Sequence, residues 1–341
     1  MYVKRDTRRA WPWPCLLGAT ALLLASCGAF SSSDDAAAPV DGGGGTVIGD
    51  AADGAATSPH DGGALGPCSR DLSVGWKPPQ RLTQLRGGGG ELGFVDPFVT
   101  SDGLTLFVVN ASGSPLRIFR ATRASRDAEW SAAVALSGVS NETYAPPYPS
   151  SAKPSEEVII AAEGSQTDIF EVLPSGDGWS KEKIPSLFRP DVDLWPTLSA
   201  DGLVVVYEEV NANKDNPFRA LFQASRSAPS PSADWSEPKG LASPPYDGGP
   251  GDVAWSHPAL TPDALGLFYS VDTERGAVRV AQRKTREDAF FSATQSGTLV
   301  PSLGSDGYTT RVRSVTADGC EAYLTSDRDG VLDSYVATRT P

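Results

Sequence analysis

The sequence predicts an all-β chain: a five-bladed β-propeller of four-stranded antiparallel blades, its ring closed by a strand from the N-terminal side. Three observations predict it. There are 35 glycines and 28 prolines among 341 residues, a density of breakers that long helices do not survive. The 8 Trp, 9 Tyr and 12 Phe suit strands packed on strands. One segment also recurs, as DPFVTSDGLTLFVV at 96–109, WPTLSADGLVVVYE at 195–208, HPALTPDALGLFYS at 257–270 and VRSVTADGCEAYLT at 312–325, and a recurring unit of this size marks a repeat architecture.

Each repeat is built in the same order. A first strand runs into Asp102-Gly103, Asp201-Gly202, Asp263-Ala264 or Asp318-Gly319, the chemistry of a tight hairpin turn. A proline stands five residues before the Asp in three copies (Pro97, Pro196, Pro258), and Arg313 takes that place in the last. A divergent copy without the Asp-Gly pair covers 147–160. The second strand is apolar on both sides, as in Gly202-Leu203-Val204-Val205-Val206-Tyr207, which suits a strand sandwiched between neighbours. Third strands come next, around Phe119, Phe170, Phe222, Val280 and Tyr335, and three of them run on to Arg123, Arg226 and Arg339. A fourth strand opens on Trp130, Trp179, Trp235 or Phe291. The fifth copy has no fourth strand after it. Residues 76–82 (WKPPQRL) match 235–241 (WSEPKGL) and supply the missing strand from the other side. Such closure removes the free edges that template aggregation.

The pattern Pro-x-x-(Ser/Thr)-x-Asp-Gly, an apolar strand and then Ile/Leu-Phe/Tyr-x-Ala-x-Arg resembles the TolB-type propeller repeat over about residues 76–341. The resemblance implies the fold and, for function, a binding or scaffold module for a protein, peptide or glycan. The TolB family's six-bladed ring and extra N-terminal domain have no counterpart here, so its particular partner role is not carried over.

Residues 1–26 read as a signal peptide. Lys4, Arg5, Arg8 and Arg9 precede an apolar stretch from Trp11 to Ala25, too short for a spanning helix and right for an h-region. The end, Leu24-Ala25-Ser26-Cys27, resembles a bacterial lipobox, which implies lipidation of Cys27 and a membrane anchor. Gly28 after the cysteine, by resemblance to Gram-negative lipoproteins, implies the outer membrane. Residues 28–67 contain no Lys or Arg and no apolar period, and read as a flexible tether with a reach of roughly 35 Å. Residues 68–341 form the propeller domain. With Cys15 removed with the signal and Cys27 lipidated, Cys68 and Cys320 are left. In an oxidising envelope they are expected to pair, two buried thiols being the alternative.

The formal charge of −13 argues against a nucleic-acid partner. Two histidines exclude a His-rich metal centre, and no cofactor or metal is called for. A monomer is expected. In a propeller the residues entering the first strands ring one mouth. Six residues before each turn Asp stand Asp96, Trp195, His257 and Val312; two earlier stand Phe94, Asp193, Trp255 and Thr310. Tyr144 and Arg311 join them. Aromatic faces, two carboxylates, an imidazole and a guanidinium make a candidate ligand or sugar site. The alternative is that Trp195 and Trp255 plug the ring while Asp96 and Asp193 cap loop amides. An enzymatic rival, a five-bladed glycosidase, needs two carboxyls at set positions. Asp96 and Asp193 occupy two blades, but the blade between offers Tyr144 with Glu142 nearby. A hydrolase triad would rest on His257 without a nucleophile elbow. The stretch 327–333 (DRDGVLD) hints at a calcium loop but lacks its closing Glu, and the repeat explains it as a turn.

Overall fold

The computed structural model describes residues 68, 71–86, 93–110, 117–137, 150–151, 158–162, 168–175, 178–187, 192–211, 218–229, 234–241, 255–271, 276–291, 297–304 and 307–339, all within one compact unit. The readings on residues 1–67, Cys27 included, lie outside the described residues, as do Tyr144 and Glu142. No helix among the described residues is long and apolar enough to cross a membrane.

The strands are β1 (Gln80–Arg81), β2 (Phe94–Val99), β3 (Thr105–Asn110), β4 (Ile118–Thr122), β5 (Val134–Ala135), β6 (Ser150–Ser151), β7 (Val158–Ala162), β8 (Asp168–Ser175), β9 (Gly178–Lys183), β10 (Val192–Leu198), β11 (Val204–Asn211), β12 (Phe218–Ser225), β13 (Lys239–Gly240), β14 (Trp255–Leu260), β15 (Gly266–Val271), β16 (Val278–Gln282), β17 (Thr298–Leu299), β18 (Thr310–Val315), β19 (Glu321–Ser326) and β20 (Asp333–Thr338). They form four-stranded antiparallel sheets in the orders β2-β3-β4-β5, β6-β7-β8-β9, β10-β11-β12-β13, β14-β15-β16-β17 and β18-β19-β20-β1. The first strands approach one another in the sequence β2, β6, β10, β14, β18 and back to β2.

The last sheet is completed by the N-terminal segment. β1 pairs with β20 through Gln80↔Val336 and Arg81↔Tyr335, Trp76 bridges Arg339, and Cys68 is disulfide-bonded to Cys320. This strap also reaches both neighbours. Leu72 and Trp76 pack with Phe268 and Val280 of the fourth sheet, and Leu82 and Leu85 with Phe94 and Leu106 of the first.

Each described turn is closed by its own chemistry. The hydroxyl of Thr100, Ser199, Thr261 or Thr316 donates to the Asp two residues on, which also accepts the amide two residues beyond itself. Gly103, Gly202 and Gly319 sit at φ +76°, +71° and +69°, the left-handed conformation that the turn demands. Ala264 adopts φ +62° in the variant turn.

The arginines after the third strands meet the aromatics that open the fourth. Nε of Arg123, Arg226 and Arg283 donates to the carbonyls of Gly103, Gly202 and Ala264 at 2.6, 2.6 and 2.9 Å. Their guanidiniums lie 4.4, 4.5 and 4.1 Å over the rings of Trp130, Trp235 and Phe290. Each then crosses to a neighbouring sheet: Arg123 to Glu321 at 2.7 Å, Arg226 to Glu171 at 3.2 Å, Arg283 to Gln223 at 3.1 Å. Two expectations are corrected here. Arg283 belongs to the series that the sequence pattern gave to three residues. Trp130, Trp235 and Phe291 are not strand residues; they stand before two-residue edge pairings, because the ring is held under a guanidinium or in the core, not in a ladder.

Candidate functional site at the axial mouth

The first strands do not run straight. Register breaks fall between Val95 and Phe98, Leu194 and Thr197, Ser256 and Ala259, and Val312 and Ser314. In the first three, the residue before the repeat proline turns left-handed: Asp96 at φ 53°, Trp195 at 48°, His257 at 57°. Proline has no N–H to give a ladder, so it belongs at a bulge. Non-glycine residues in this conformation are uncommon and store strain. The fourth break, at Arg313, carries no positive φ.

The amides displaced by the bulges are satisfied from the next sheet. Asp96 N–H donates to Thr325 Oγ1 at 2.8 Å and His257 N–H to Glu208 Oε2 at 3.0 Å. Three residues on, Val99 N–H donates to Ser314 Oγ and Leu260 N–H to Thr197 Oγ1, both at 2.9 Å. The same rule therefore ties the first sheet to the last and the fourth to the third.

The predicted site residues divide accordingly. Asp96 is buried, with Oδ1 3.0 Å from Nε of Arg313, close enough for the charges to meet though off the line of a hydrogen bond. Trp195 is half-buried and its ring lies 4.0 Å from that of His257, which is itself buried. Trp255 is not brought to this group: it packs against Phe291 at 4.5 Å and Tyr269 at 5.5 Å, inside the core between the third and fourth sheets. Two residues along a bulged strand change the face. Asp193 pairs in register with Glu209 on β11. Arg311 is half-buried on β18, opposite Thr325.

Sequence reasoning missed Glu208, Glu209 and Arg313. Glu208 is fully buried and Glu209 nearly so. Their signal was an acidic pair within an otherwise largely apolar second strand, and burial of carboxylates needs partners. Arg313 stood out only as the residue replacing a proline. No group of three or more His, Cys, Asp or Glu among the described residues is arranged to hold a metal ion. The acids of 327–333 are engaged by the protein itself: Asp327 accepts the Thr309 amide, Asp329 the Tyr335 hydroxyl, and Asp333 both Arg81 and Arg86.

An endo-arabinase from Bacteroides thetaiotaomicron is similar over 79% of this chain and 98% of its own, at 12% identity and a TM-score of 0.50. The protein is a β-propeller. TolB from Acinetobacter baumannii is similar to the propeller over 56% of this chain, at 14% identity and a TM-score of 0.38; the chain spans 41% of that protein. An α-L-arabinofuranosidase from Podospora anserina is similar over 79% of this chain and 98% of its own, at 12% identity and a TM-score of 0.40. No protein-family model and no curated protein matches. Likeness at these identities shows the fold alone, and function lives in the site.

Proposed function

We propose that the chain is a lipid-anchored envelope protein whose propeller is a non-enzymatic binding or scaffold module for a protein, peptide or glycan. In this reading the ring has five blades and is closed by the strap, Cys27 carries the lipid, and residues 28–67 hold the domain off the outer membrane. The five sheets, the neighbour order of their first strands and the β1–β20 pairing support the closed ring.

One observation carries the choice of binder over enzyme: Asp96 faces Arg313 in a buried ion pair. A glycosidase needs two carboxyls about 5–10 Å apart, both open to one glycosidic bond. Here the first of the two candidates is spent inside the protein. Trp195 and His257 likewise pack ring against ring, at 4.0 Å between centroids. A ligand therefore engages the rim of the mouth, with Trp195 and Arg311 its half-exposed members.

The test is hydrolysis of a panel of arabinan, xylan and pectin by the wild-type chain and by Asp96→Asn and Asp193→Asn. No reducing ends are expected from any of them. Turnover by the wild type that both substitutions abolish with the fold intact would falsify the binder reading. The anchor is checked separately, by incorporation of labelled palmitate that Cys27→Ser removes.

A further inference from the structure

Residues 1–67 join the fold through Cys68. Beyond that cysteine the strap runs along the outer edge of the last sheet. It is held to β20 by the Trp76–Arg339 bridge, the Gln80↔Val336 and Arg81↔Tyr335 pairs, and the amides of Lys77 and Leu82 on the carbonyls of Thr338 and Ser334 at 2.8 and 3.0 Å. Arg339 lies 4.9 Å over Trp76 and donates to the Asp71 carbonyl at 2.7 Å, and the Leu72 amide reaches Gln282 of the fourth sheet.

An edge strand pulled from one end loads its bonds one after another, starting here at Asp71 and Leu72. Each bond then resists alone, and the strap peels. The disulfide changes that path. A pull arriving at Cys68 passes through sulfur to Cys320, at the foot of β19. That strand is hydrogen-bonded on both sides, to β18 and to β20, and Ala322, Tyr323 and Leu324 are fully buried. Load enters the interior of the sheet and the strap carries none.

We propose that Cys68–Cys320 is a mechanical clamp that diverts tension on the N-terminal tether away from the closing strand. Its use in the envelope rests on the anchored reading given above, but the clamp itself does not depend on lipid, so the two fail separately.

The experiment is single-molecule pulling on the full unlipidated chain, between its N-terminus and a handle at exposed Lys239 on β13. After reduction, the first event is expected at low force. It should release residues 68–86 alone, roughly 65 Å of extended chain. With the disulfide intact that event is missing, and the first rupture force at least doubles. Cys320→Ser should reproduce the reduced trace. Hydrogen exchange without load serves as the second measurement: reduction should leave the β18–β19 amides protected while those of Lys77 and Leu82 exchange at least tenfold faster. A first step of equal force in both states overturns the proposal. So does loss of β18–β19 protection on reduction alone, since the disulfide would then hold the sheet and not divert load.

Discussion

The last sheet is held differently on its two flanks. Toward the fourth sheet the contact is mainly apolar: Leu72, Trp76, Phe268, Val280, Val312 and Leu324 share one buried cluster, and the disulfide fixes the head of the strap beside it. Toward the first sheet an apolar layer, with Trp130 edge-on to Tyr323 at 6.2 Å, is overlaid by charge. Asp96–Arg313, Arg123–Glu321 and Arg126–Asp318 all cross this flank, and Asp333 accepts both strap arginines and the Phe94 amide. Apolar burial is non-directional and tolerates sliding. Guanidinium–carboxylate pairs admit one geometry. On the charged flank the pairs that join the two sheets link residues more than 190 apart in sequence.

The contrast between the flanks is broken most forcefully through the disulfide. It closes a loop of 252 residues, and the chain-entropy model credits such a loop with roughly 5 kcal/mol. Cys68→Ser should lower the urea-unfolding free energy by about that amount, equally at low and high salt. A salt-dependent loss would mean that the strap acts through the charged flank.

Asp96→Ala addresses that flank directly. It leaves the Arg313 guanidinium buried without its carboxylate, and should cost about 3–5 kcal/mol in the same assay. Asp96→Leu combined with Arg313→Met should restore most of it. A loss under about 1 kcal/mol for the single change would show that the pair does not hold the flank.

Gly103→Ala is milder, about 1–2 kcal/mol. It places a side chain at φ +76° and sets Cβ 2.9 Å from Nε of Arg126, which must then release Asp318. Adding Arg126→Gln to it should cost less than the two single losses together, as coupled sites do.

The smallest effect is that of acid. Burial works to raise the Asp318 carboxyl, but hydrogen bonds from Arg126, Thr316 and the Cys320 amide outweigh it and hold the group below its ordinary 3.8. The stability this contributes is fully present above the unfolded value and is lost as pH falls through the folded one. Arg126 is a third exposed at its side chain, so solvent screening leaves about 0.5 kcal/mol. Arg126→Gln should flatten the stability profile below about pH 4 by that margin.

What the sequence made legible was local or repeated. The Asp-Gly turns, the apolar second strands and the tryptophan-led segment at 76–82 are signals that a period multiplies, and each sheet's place follows from them. The Cys68–Cys320 pairing was legible too, by elimination. The mouth was legible only as a set of positions. Asp96, Trp195 and His257 do share one backbone conformation, because the proline after each forces a bulge. Which of them touch depended on inter-sheet geometry: Asp96 and Arg313 lie far apart in sequence, and nothing in either repeat names the other. Trp255 was misplaced for the same reason, since the bulge that holds His257 breaks the period-two rule that would put both on one face. Glu208 and Glu209 escaped notice because they follow an apolar run whose pattern alone suggested a core strand.

The pairing of Trp76 with Arg339 has a consequence for how the molecule is made. As the chain emerges into the compartment where it folds, the sheets built from neighbouring segments can assemble in turn, but the last one needs residues 76–82 beside β20. The segment 76–82 emerges first and waits, unpaired, until Asp333–Thr338 arrives. Chains cut before Asp333 should therefore stay protease-sensitive around residues 76–82, and the complete chain should gain resistance there in a single late step of refolding.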